Sequence, residues 1–427
     1  MKLKHLMLGL FAITTCMSSV SQASEKLTLA EAMRKTLIQH PSLQVYDLRE
    51  DALSSRRLTA SLKPELELGI ETENFAGSGE FSGFGESEWT ITLSSVIEMG
   101  NKRASRIEAI DAQTELLKSR RQVEALDLLG AMASQFISAL ELSEQLTLAK
   151  ESESLANKTI QTVSKRVSAG VAPDAELLRA RAMASQATLR RKRVESELKV
   201  ATVALSPYWN ERRPPAREVV GDLFGFGPTR DFESLLQQVS TSPNFEVFAS
   251  EKRVRDAAIQ LAQSQSKSDL QWSVGARHFA ELNDTAVVAS LGIPLFSARR
   301  NEGELAALAL ESESLALERN RALNEFYVRL FDAYQSRILS IEAVNSLQTK
   351  TIPDLMEAQN KTRRAYESGR YSYLDLIAAQ QSLLEAKAML IRSAATALQA
   401  GVVIERLTGV SLSPEVIQKK IMEGVNQ

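Results

Sequence analysis

This 427-residue chain carries the same set of sequence signals twice, in the same order. Three pairs of positions correspond: Pro41 and Pro243 after helix-like stretches, Gly69 and Gly275 in strand-like stretches, and Gly170 and Gly369 ahead of stretches rich in Leu and Ala. The members of each pair lie about 200 positions apart, and a fixed spacing of this kind indicates a repeated structural unit. The fold is therefore expected to consist of two similar halves, each with a helix, two strands, a long helix, a turn and a helix.

Alternation of apolar and polar residues predicts the strands. In the first of them, three apolar residues alternate with four glutamates: Leu66, Leu68 and Ile70 with Glu65, Glu67, Glu71 and Glu73. A period of two gives a strand one apolar and one polar face. The same pattern predicts strands at residues 64–75, 88–98, 269–279 and 286–296.

Strands of about ten residues with one apolar face suit a membrane barrel, but even the smallest such barrels need about eight strands. Four strands from one chain cannot close a barrel, so several chains would have to contribute. The pattern also fits a pair of soluble hairpins packed on a helical core, and the strands alone do not decide between the two.

The spacing of proline and glycine predicts helices of unusual length. Between Lys102 and Ala169 there is no proline and the only glycine is Gly130, so a single helix of about 68 residues, roughly 100 Å long, is possible. The second half repeats this from Glu302 to Ser368, with a kink expected at Pro353. Two shorter helices, Leu29 to Leu62 and Asp174 to Leu205, would each be roughly 50 Å long. An extended coiled coil is the alternative for the helices taken alone.

Glycines and prolines also predict where the segments join. Gly170 and Gly369 can adopt the positive φ that turns a long helix back on itself, and Pro173 suits the start of the first return helix. The predicted organisation is a signal segment at 1–23, a first repeat at 24–206 with its turn at 170, a linker at 207–230, a second repeat at 231–409 with its turn at 369, and a tail at 410–427.

The N-terminus predicts export from the cytoplasm. Lys2 and Lys4 precede a short apolar run, and small residues before Ala23 offer a cleavage site, which is the layout of a secretory signal. The single cysteine, Cys16, lies inside this segment, and its lipidation is left open. No later stretch is continuously apolar over the roughly 20 residues that span a bilayer as a helix, which argues against a helical membrane protein.

Composition and motifs argue against other classes of function. A net charge of -2 gives no bulk attraction to nucleic acid. Outside the signal segment the histidines are His40 and His278, far apart, and no phosphate loop, nucleophile elbow or metal-binding motif is present. We therefore expect no enzyme activity, no cofactor and no resident metal site.

Three segments resemble a known family. Ile97, Glu98, Gly100, Lys102 and Arg103, where a strand runs into the long helix, look like the I-E-x-G-[GN]-K-R signature of the CzcC-like branch of the TolC-like outer-membrane factors. The run from Ile352 to Gln380 looks like that family's second hairpin, and Ile293 to Phe296 like the end of its fourth strand. The resemblance extends over essentially the whole chain after the signal segment.

The resemblance implies a fold, a location and partners. Members of this family are homotrimers with a twelve-stranded β-barrel in the lipid of the outer membrane and a long α-helical barrel in the periplasm. The family's channels meet a periplasmic adaptor protein, which joins an inner-membrane pump of the RND type, and the CzcC-like branch serves efflux of heavy-metal cations. A TolC-like channel for drug efflux or type I secretion is the alternative within the fold. A soluble periplasmic adaptor with long helical hairpins is the alternative from another class.

The resemblance also suggests roles for individual residues. The hairpin turns at Gly170 and Gly369, with Arg370 and Tyr371, would contact the adaptor. Glu176 and Asp375 occupy equivalent positions after the two glycines and could line a periplasmic aperture, although Glu176 also fits a plain helix-start charge. The lumen of the barrel could be lined by the four glutamates of the first strand, Glu65, Glu67, Glu71 and Glu73, or these could simply be solvated.

Overall fold

The computed structural model describes residues 25–215, 217–295, 299 and 301–410. The signal segment with Cys16, the residue Phe296 of the fourth-strand motif, and the tail beyond residue 410 lie outside these ranges. Within them the chain is mainly helical and carries one four-stranded sheet. The prediction of a mainly α fold with four long strands is confirmed.

The first half contains β1 (Glu25–Thr28), α1 (Leu29–Gln39), α2 (Pro41–Ala60), β2 (Glu67–Glu73), β3 (Glu88–Ile97), α3 (Lys102–Ser168) and α4 (Asp174–Val203), followed by a short 3-10 turn at Ser206–Trp209. The second half contains β4 (Arg217–Val220), α5 (Phe232–Ser240), α6 (Pro243–Gln265), β5 (Leu270–Phe279), β6 (Asp284–Gly292), α7 (Glu302–Ser346), α8 (Ile352–Glu367) and α9 (Tyr373–Thr408). The order of the long elements is the same in both halves.

The long helix of the first half is continuous, whereas that of the second half is interrupted. α3 runs without a break for 67 residues. In the second half a π-helical turn at Leu347–Thr351 separates α7 from α8. Pro353 follows directly, and since proline has no N–H to donate to the preceding turn, it accounts for the interruption that the sequence predicted as a kink.

The four long strands form one antiparallel sheet in the order β2-β3-β5-β6. β3 and β5 come from different halves of the chain and are hydrogen-bonded neighbours, so the sheet joins the two repeats. Thr92 of β3, for example, lies between Gly69 of β2 and Gly275 of β5. β2 and β6 are the edges of the sheet within one chain.

The helices pack around an apolar core near the middle of α3. Its largest cluster combines side chains of α3 and α9 with the segment between the repeats, including Phe136, Ile391 and Leu223. α3 and α9 each contain an 18-residue window, of mean hydropathy 1.3 and 1.2, that by length and composition alone could cross a membrane. Side chains of both helices, among them Phe136 and Ile391, pack in this core.

Three details differ from the sequence-based expectations. The helix predicted from Leu29 to Leu62 is divided at His40, which is extended (φ -69°, ψ 126°) because Pro41 begins a new helix. The fourth strand ends at Gly292 and not near residue 296. The segment between the repeats, expected as a linker, contains a strand, β4, which pairs in parallel with β1.

Candidate functional site

The four-stranded sheet has one apolar and one polar face. The register places Leu68, Leu93, Val274 and Ala289 in one row of the apolar face, and Ile70, Ile91, Ala276 and Val287 in the next. These side chains are not covered by the residues that the structure describes: Leu68 is 67% exposed and Val287 is 81% exposed. A broad apolar face of this kind on a sheet needs a partner, and the lipid of a membrane is one that fits.

The polar face carries acidic side chains and one guanidinium. Glu67, Glu71 and Glu73 point to this side of β2, and Glu65 lies just before the strand. Arg277 of β5, which the sequence analysis did not single out, forms ion pairs with Glu88 (Nη1–Oε2 2.8 Å) and Glu73 (Nη2–Oε2 3.2 Å). The predicted lining is therefore acidic in β2 but partly neutralised at the outer end of the sheet, away from the helices.

The signature segment forms the joint between the sheet and α3. Glu98 accepts hydrogen bonds from Arg106, one turn into the helix. The ammonium of Lys102 lies 2.7 Å from the carboxylate of Asp269, which also accepts a hydrogen bond from the Met99 N–H at 3.0 Å. Because Asp269 directly precedes β5, this pair ties the first repeat to the second.

Backbone geometry explains the glycine of the signature. Gly100 has φ +73°, and a Cβ at this position would lie 2.6 Å from Cγ of Lys267. Both the positive φ and the close approach favour glycine. Ile97 ends β3 with its side chain exposed, and Arg103 is exposed on α3. The signature residues thus shape a turn and a salt-bridged joint, with Arg106 and Asp269 as partners that the sequence analysis missed.

Partial burial raises the pKa of the Asp269 carboxyl, but the hydrogen bonds from Lys102 and Met99 and the charges of Lys102 and Arg106 outweigh it. The net pKa of Asp269 therefore lies below its ordinary value. The carboxylate is the stable form in this joint, which suits its role as the acceptor for Lys102.

The two hairpin turns at the far end of the helices share one geometry. Gly170 has φ +71° and Gly369 has φ +77°. In each turn the residue after the glycine donates its N–H to a carbonyl of the preceding helix, Val171 to Arg166 at 3.0 Å and Arg370 to Ala365 at 2.8 Å. This is the pattern of a helix that ends at a left-handed glycine, and it places the exposed Arg370 and Tyr371 at the very end of the molecule.

One tyrosine holds the two turns together. Tyr366 of α8 is buried, its hydroxyl donates to Glu176 Oε2 at 2.8 Å, and the Arg166 guanidinium lies 4.3 Å from its ring centroid. Arg166 also donates to the Tyr366 carbonyl oxygen. Burial and the hydrogen bond with Glu176 raise the pKa of the Tyr366 hydroxyl, so it remains a donor at neutral pH. Glu176 therefore serves an interaction within its own chain.

Asp375 also has a local role. Its carboxylate accepts from the Ser372 N–H at 3.0 Å, and its own N–H donates to Ser372 Oγ at 3.2 Å, which is a capping box at the start of α9. The hydrogen bonds from Ser372 hold the pKa of Asp375 below its ordinary value. The structure thus brings Glu176 and Asp375 to the same end of the molecule but gives each of them a partner in its own chain.

No group of three or more His, Cys, Asp and Glu side chains is arranged to hold a metal ion among the residues that the structure describes. His40 accepts a hydrogen bond from the Ser42 N–H at 3.2 Å and begins α2. His278 lies on the apolar face of the sheet, where its ring is 3.4 Å from the hydroxyl of Thr285. Neither histidine is part of a charged cluster.

Comparisons with known proteins agree with this architecture. The sequence model of the family "Outer membrane efflux protein" matches residues 32–211. The cobalt-zinc-cadmium resistance protein CzcC of Cupriavidus metallidurans is 26% identical over 91% of both chains. Among solved structures, CusC superposes with a TM-score of 0.73 at 15% identity, covering 89% of this chain and 91% of CusC. VceC of Vibrio cholerae superposes with a TM-score of 0.70 at 16% identity, covering 90% of this chain and 97% of VceC.

The solved structures show the fold of this chain, and the sequence matches show which proteins it resembles. An exposed apolar sheet face, a polar opposite face and long helical hairpins are the parts that a channel across a membrane and the space beneath it requires. Residues 32–211 therefore match the outer membrane efflux protein family, and the described chain has the fold of CusC and VceC.

Proposed function

We propose that this chain, as a homotrimer, is the outer-membrane channel of a tripartite export system and passively releases divalent heavy-metal cations. The cargo is inferred from the likeness to CzcC over 91% of both chains, together with the joint built from Glu98, Gly100 and Lys102. In this proposal the channel is passive, and an inner-membrane pump of the RND type drives the export.

The sheet supports the trimer. Within one chain β2 and β6 lack a strand on their outer sides, and three such sheets joined edge to edge give twelve strands, which lies within the size range of closed membrane barrels. The apolar face then contacts lipid, and the polar face with Glu65, Glu67, Glu71 and Glu73 lines the lumen. An acidic lining favours the passage of cations.

The hairpin ends support the contact with a periplasmic adaptor. Val171 and Tyr371 are 62% and 52% exposed although they lie in well-defined turns, and Arg370 is exposed in the second turn. Exposed aromatic and Arg side chains on rigid turns are typical of contact surfaces. Glu176 and Asp375 lie one helical turn away and would form the aperture at this end.

Growth of a strain that lacks this chain tests the cargo. We expect sensitivity to zinc, cobalt or cadmium salts that the wild-type chain reverses. Gly369→Trp is expected to fail in this assay while still reaching the outer membrane, because the bulky residue cannot adopt φ +77° without strain and occupies the contact surface. Gly303→Ala serves as the control, since a Cβ there meets nothing within 4 Å.

Two results would contradict the proposal. Unchanged metal tolerance together with sensitivity to dyes or detergents, or with loss of a secreted protein, would assign the channel to drug efflux or type I secretion. Full resistance with Gly369→Trp would show that the hairpin ends do not contact the adaptor.

A further inference from the structure

The outer end of the polar sheet face holds a charge arrangement that a simple acidic lining does not explain. Glu73 ends β2 and Glu88 begins β3, and the register pairs them directly. The guanidinium of Arg277 lies over this pair, 2.8 Å from Glu88 and 3.2 Å from Glu73. A bound metal ion would occupy the same position between two neighbouring carboxylates.

Further hydrogen bonds fix Arg277 in this position. Its Nε donates to Thr90 Oγ1 at 2.9 Å, and Thr90 is only 3% exposed beneath it. Glu88 also accepts from the Asn74 side-chain amide at 2.9 Å. The side chain thus uses Nε, Nη1 and Nη2 on three different acceptors, which only the planar fork of arginine can do. The cluster is therefore held in one geometry and is not a mobile surface ion pair.

The position of the cluster along the sheet gives it a consequence for transport. It lies at the end of the strands remote from the helices, where the cargo leaves the channel under the proposed trimer. Conduction requires that each site on the path binds an ion weakly enough to release it. A bare pair of carboxylates with a hydroxyl beside it offers the oxygen ligands that divalent cations bind, and within a series of such metals zinc is bound more tightly than manganese.

We propose that Arg277 is a built-in counter-cation that occupies the place between Glu73 and Glu88 and prevents the channel exit from retaining its own divalent cargo. The inference rests on the proposed function in that the polar face lines the lumen and the cargo is cationic. Arg277 thereby determines specificity: it lowers the affinity of the exit for divalent ions, while Glu67 and Glu71, nearer the helices, keep the lining acidic.

Single-channel recording in planar lipid bilayers tests the proposal with purified protein and zinc ions as the probe. In Arg277→Gln, zinc is expected to reduce the potassium current at about a tenfold lower concentration than in the wild-type channel. A chelator should reverse the reduction. The double variant R277Q/E88Q should behave as the wild type, because one carboxylate of the trap has been removed.

Two controls separate charge from structure. Arg277→Lys keeps the cation but loses the fork, so it should restore the wild-type response to zinc if the charge matters. A purely structural role of the fork would leave R277K as sensitive as R277Q. His278→Gln changes the next residue on the same strand but the opposite face, and should not alter the response.

A further variant tests the idea even if R277Q does not assemble. In E73Q/E88Q the guanidinium remains without its acidic partners, so the reversal potential in a salt gradient should shift toward lower cation selectivity. Equal zinc sensitivity of R277Q and the wild type, or an unchanged reversal potential in E73Q/E88Q, would overturn the proposal. Because these recordings do not depend on metal resistance in cells, the inference and the proposed cargo can fail separately.

Discussion

Gly69 of β2 and Gly275 of β5 occupy equivalent places in the two repeats and lie on either side of the same residue, Thr92. Their surroundings nevertheless differ. A Cβ on Gly69 would lie 2.8 Å from the hydroxyl of Thr92, a side-chain atom that can rotate away. A Cβ on Gly275 would lie 2.1 Å from the carbonyl oxygen of Ile91 and 2.9 Å from the Thr92 Cα, which are backbone atoms.

The difference follows from the way the two repeats associate. β5 is an inner strand that pairs on both sides, and its contact with β3 joins the repeats, whereas β2 is an edge strand in the single chain. Duplicated sequence therefore does not give duplicated environments. Gly275, in the strand between the repeats, has less room for a side chain than Gly69, and the two hairpin turns also differ in how their return helices are capped.

Substitutions in the sheet should show the largest difference in stability between equivalent positions of the two repeats. Gly275→Ala is expected to destabilise the sheet by more than the roughly 1–3 kcal/mol typical of an overpacked site, because backbone atoms have to move. Gly69→Ala should cost clearly less, since only the Thr92 side chain has to rotate. The comparison is measured as the yield of assembled protein in the outer-membrane fraction and its midpoint of thermal unfolding. Equal losses in the two variants would show that the inner and edge positions are equivalent.

Substitutions in the joint between the repeats should show the next largest loss of stability. Lys102→Met removes the ammonium that contacts the partly buried Asp269, and we expect a loss of about 1–3 kcal/mol in the free energy of unfolding. Arg103→Met, one residue along and exposed, should change it by less than about 0.5 kcal/mol. Denaturant unfolding followed by circular dichroism measures both variants.

The pH dependence of this joint has a defined sign. The pKa of Asp269 is lowered in the folded protein, so its contribution is present above the ordinary value of about 3.9 and is lost as the pH falls through the lower folded value. The difference between the wild type and Lys102→Met should therefore be constant from about pH 5 to 8 and shrink below about pH 4. A difference that grows on acidification would contradict the assignment of Asp269 as the acceptor.

Substitutions in the hairpin turns should show the smallest loss of stability. α9 begins with the Ser372 and Asp375 capping box, whereas α4 begins at Pro173 without a side-chain cap. Ser372→Ala should therefore destabilise the second turn by about 1 kcal/mol and speed up amide hydrogen exchange there about fivefold.

Adding a cap at the first turn is the reverse of removing the cap at the second turn. Pro173→Ser places a serine three residues before Glu176 and completes a capping-box sequence, so exchange at the first turn should slow down. If Ser372→Ala leaves exchange unchanged, or if the first turn already exchanges more slowly than the second, the capping difference does not control the stability of the turns.

Much of the fold was predictable because its signals are local. The alternation of residues around Leu68 and Leu93 predicts strands, and the absence of proline from α3 permits a single helix. The positive φ at Gly170 and Gly369 is confirmed where the repeat places the turns. Each of these signals lies within a short stretch of chain, where sequence periodicity is informative.

The remaining features depend on partners distant in sequence. β1 and β4 are four residues each, and they pair although the whole first repeat lies between them, which leaves no local pattern to recognise. Asp269 and Arg277 acquire their roles only once β5 lies beside β3. The resemblance suggested Glu176 and Asp375 as aperture residues, but the hydrogen bonds from Tyr366 and Ser372 could not be predicted without the packing of the turns.

In the proposed assembly, three copies of this sheet close one barrel in the outer membrane. Cell fractionation followed by electrophoresis of unheated and heated samples tests it directly. We expect the protein in the outer-membrane fraction as a detergent-resistant species of three times the chain mass that heating converts to the monomer. A soluble periplasmic monomer or dimer would contradict the account and favour an adaptor with long helical hairpins.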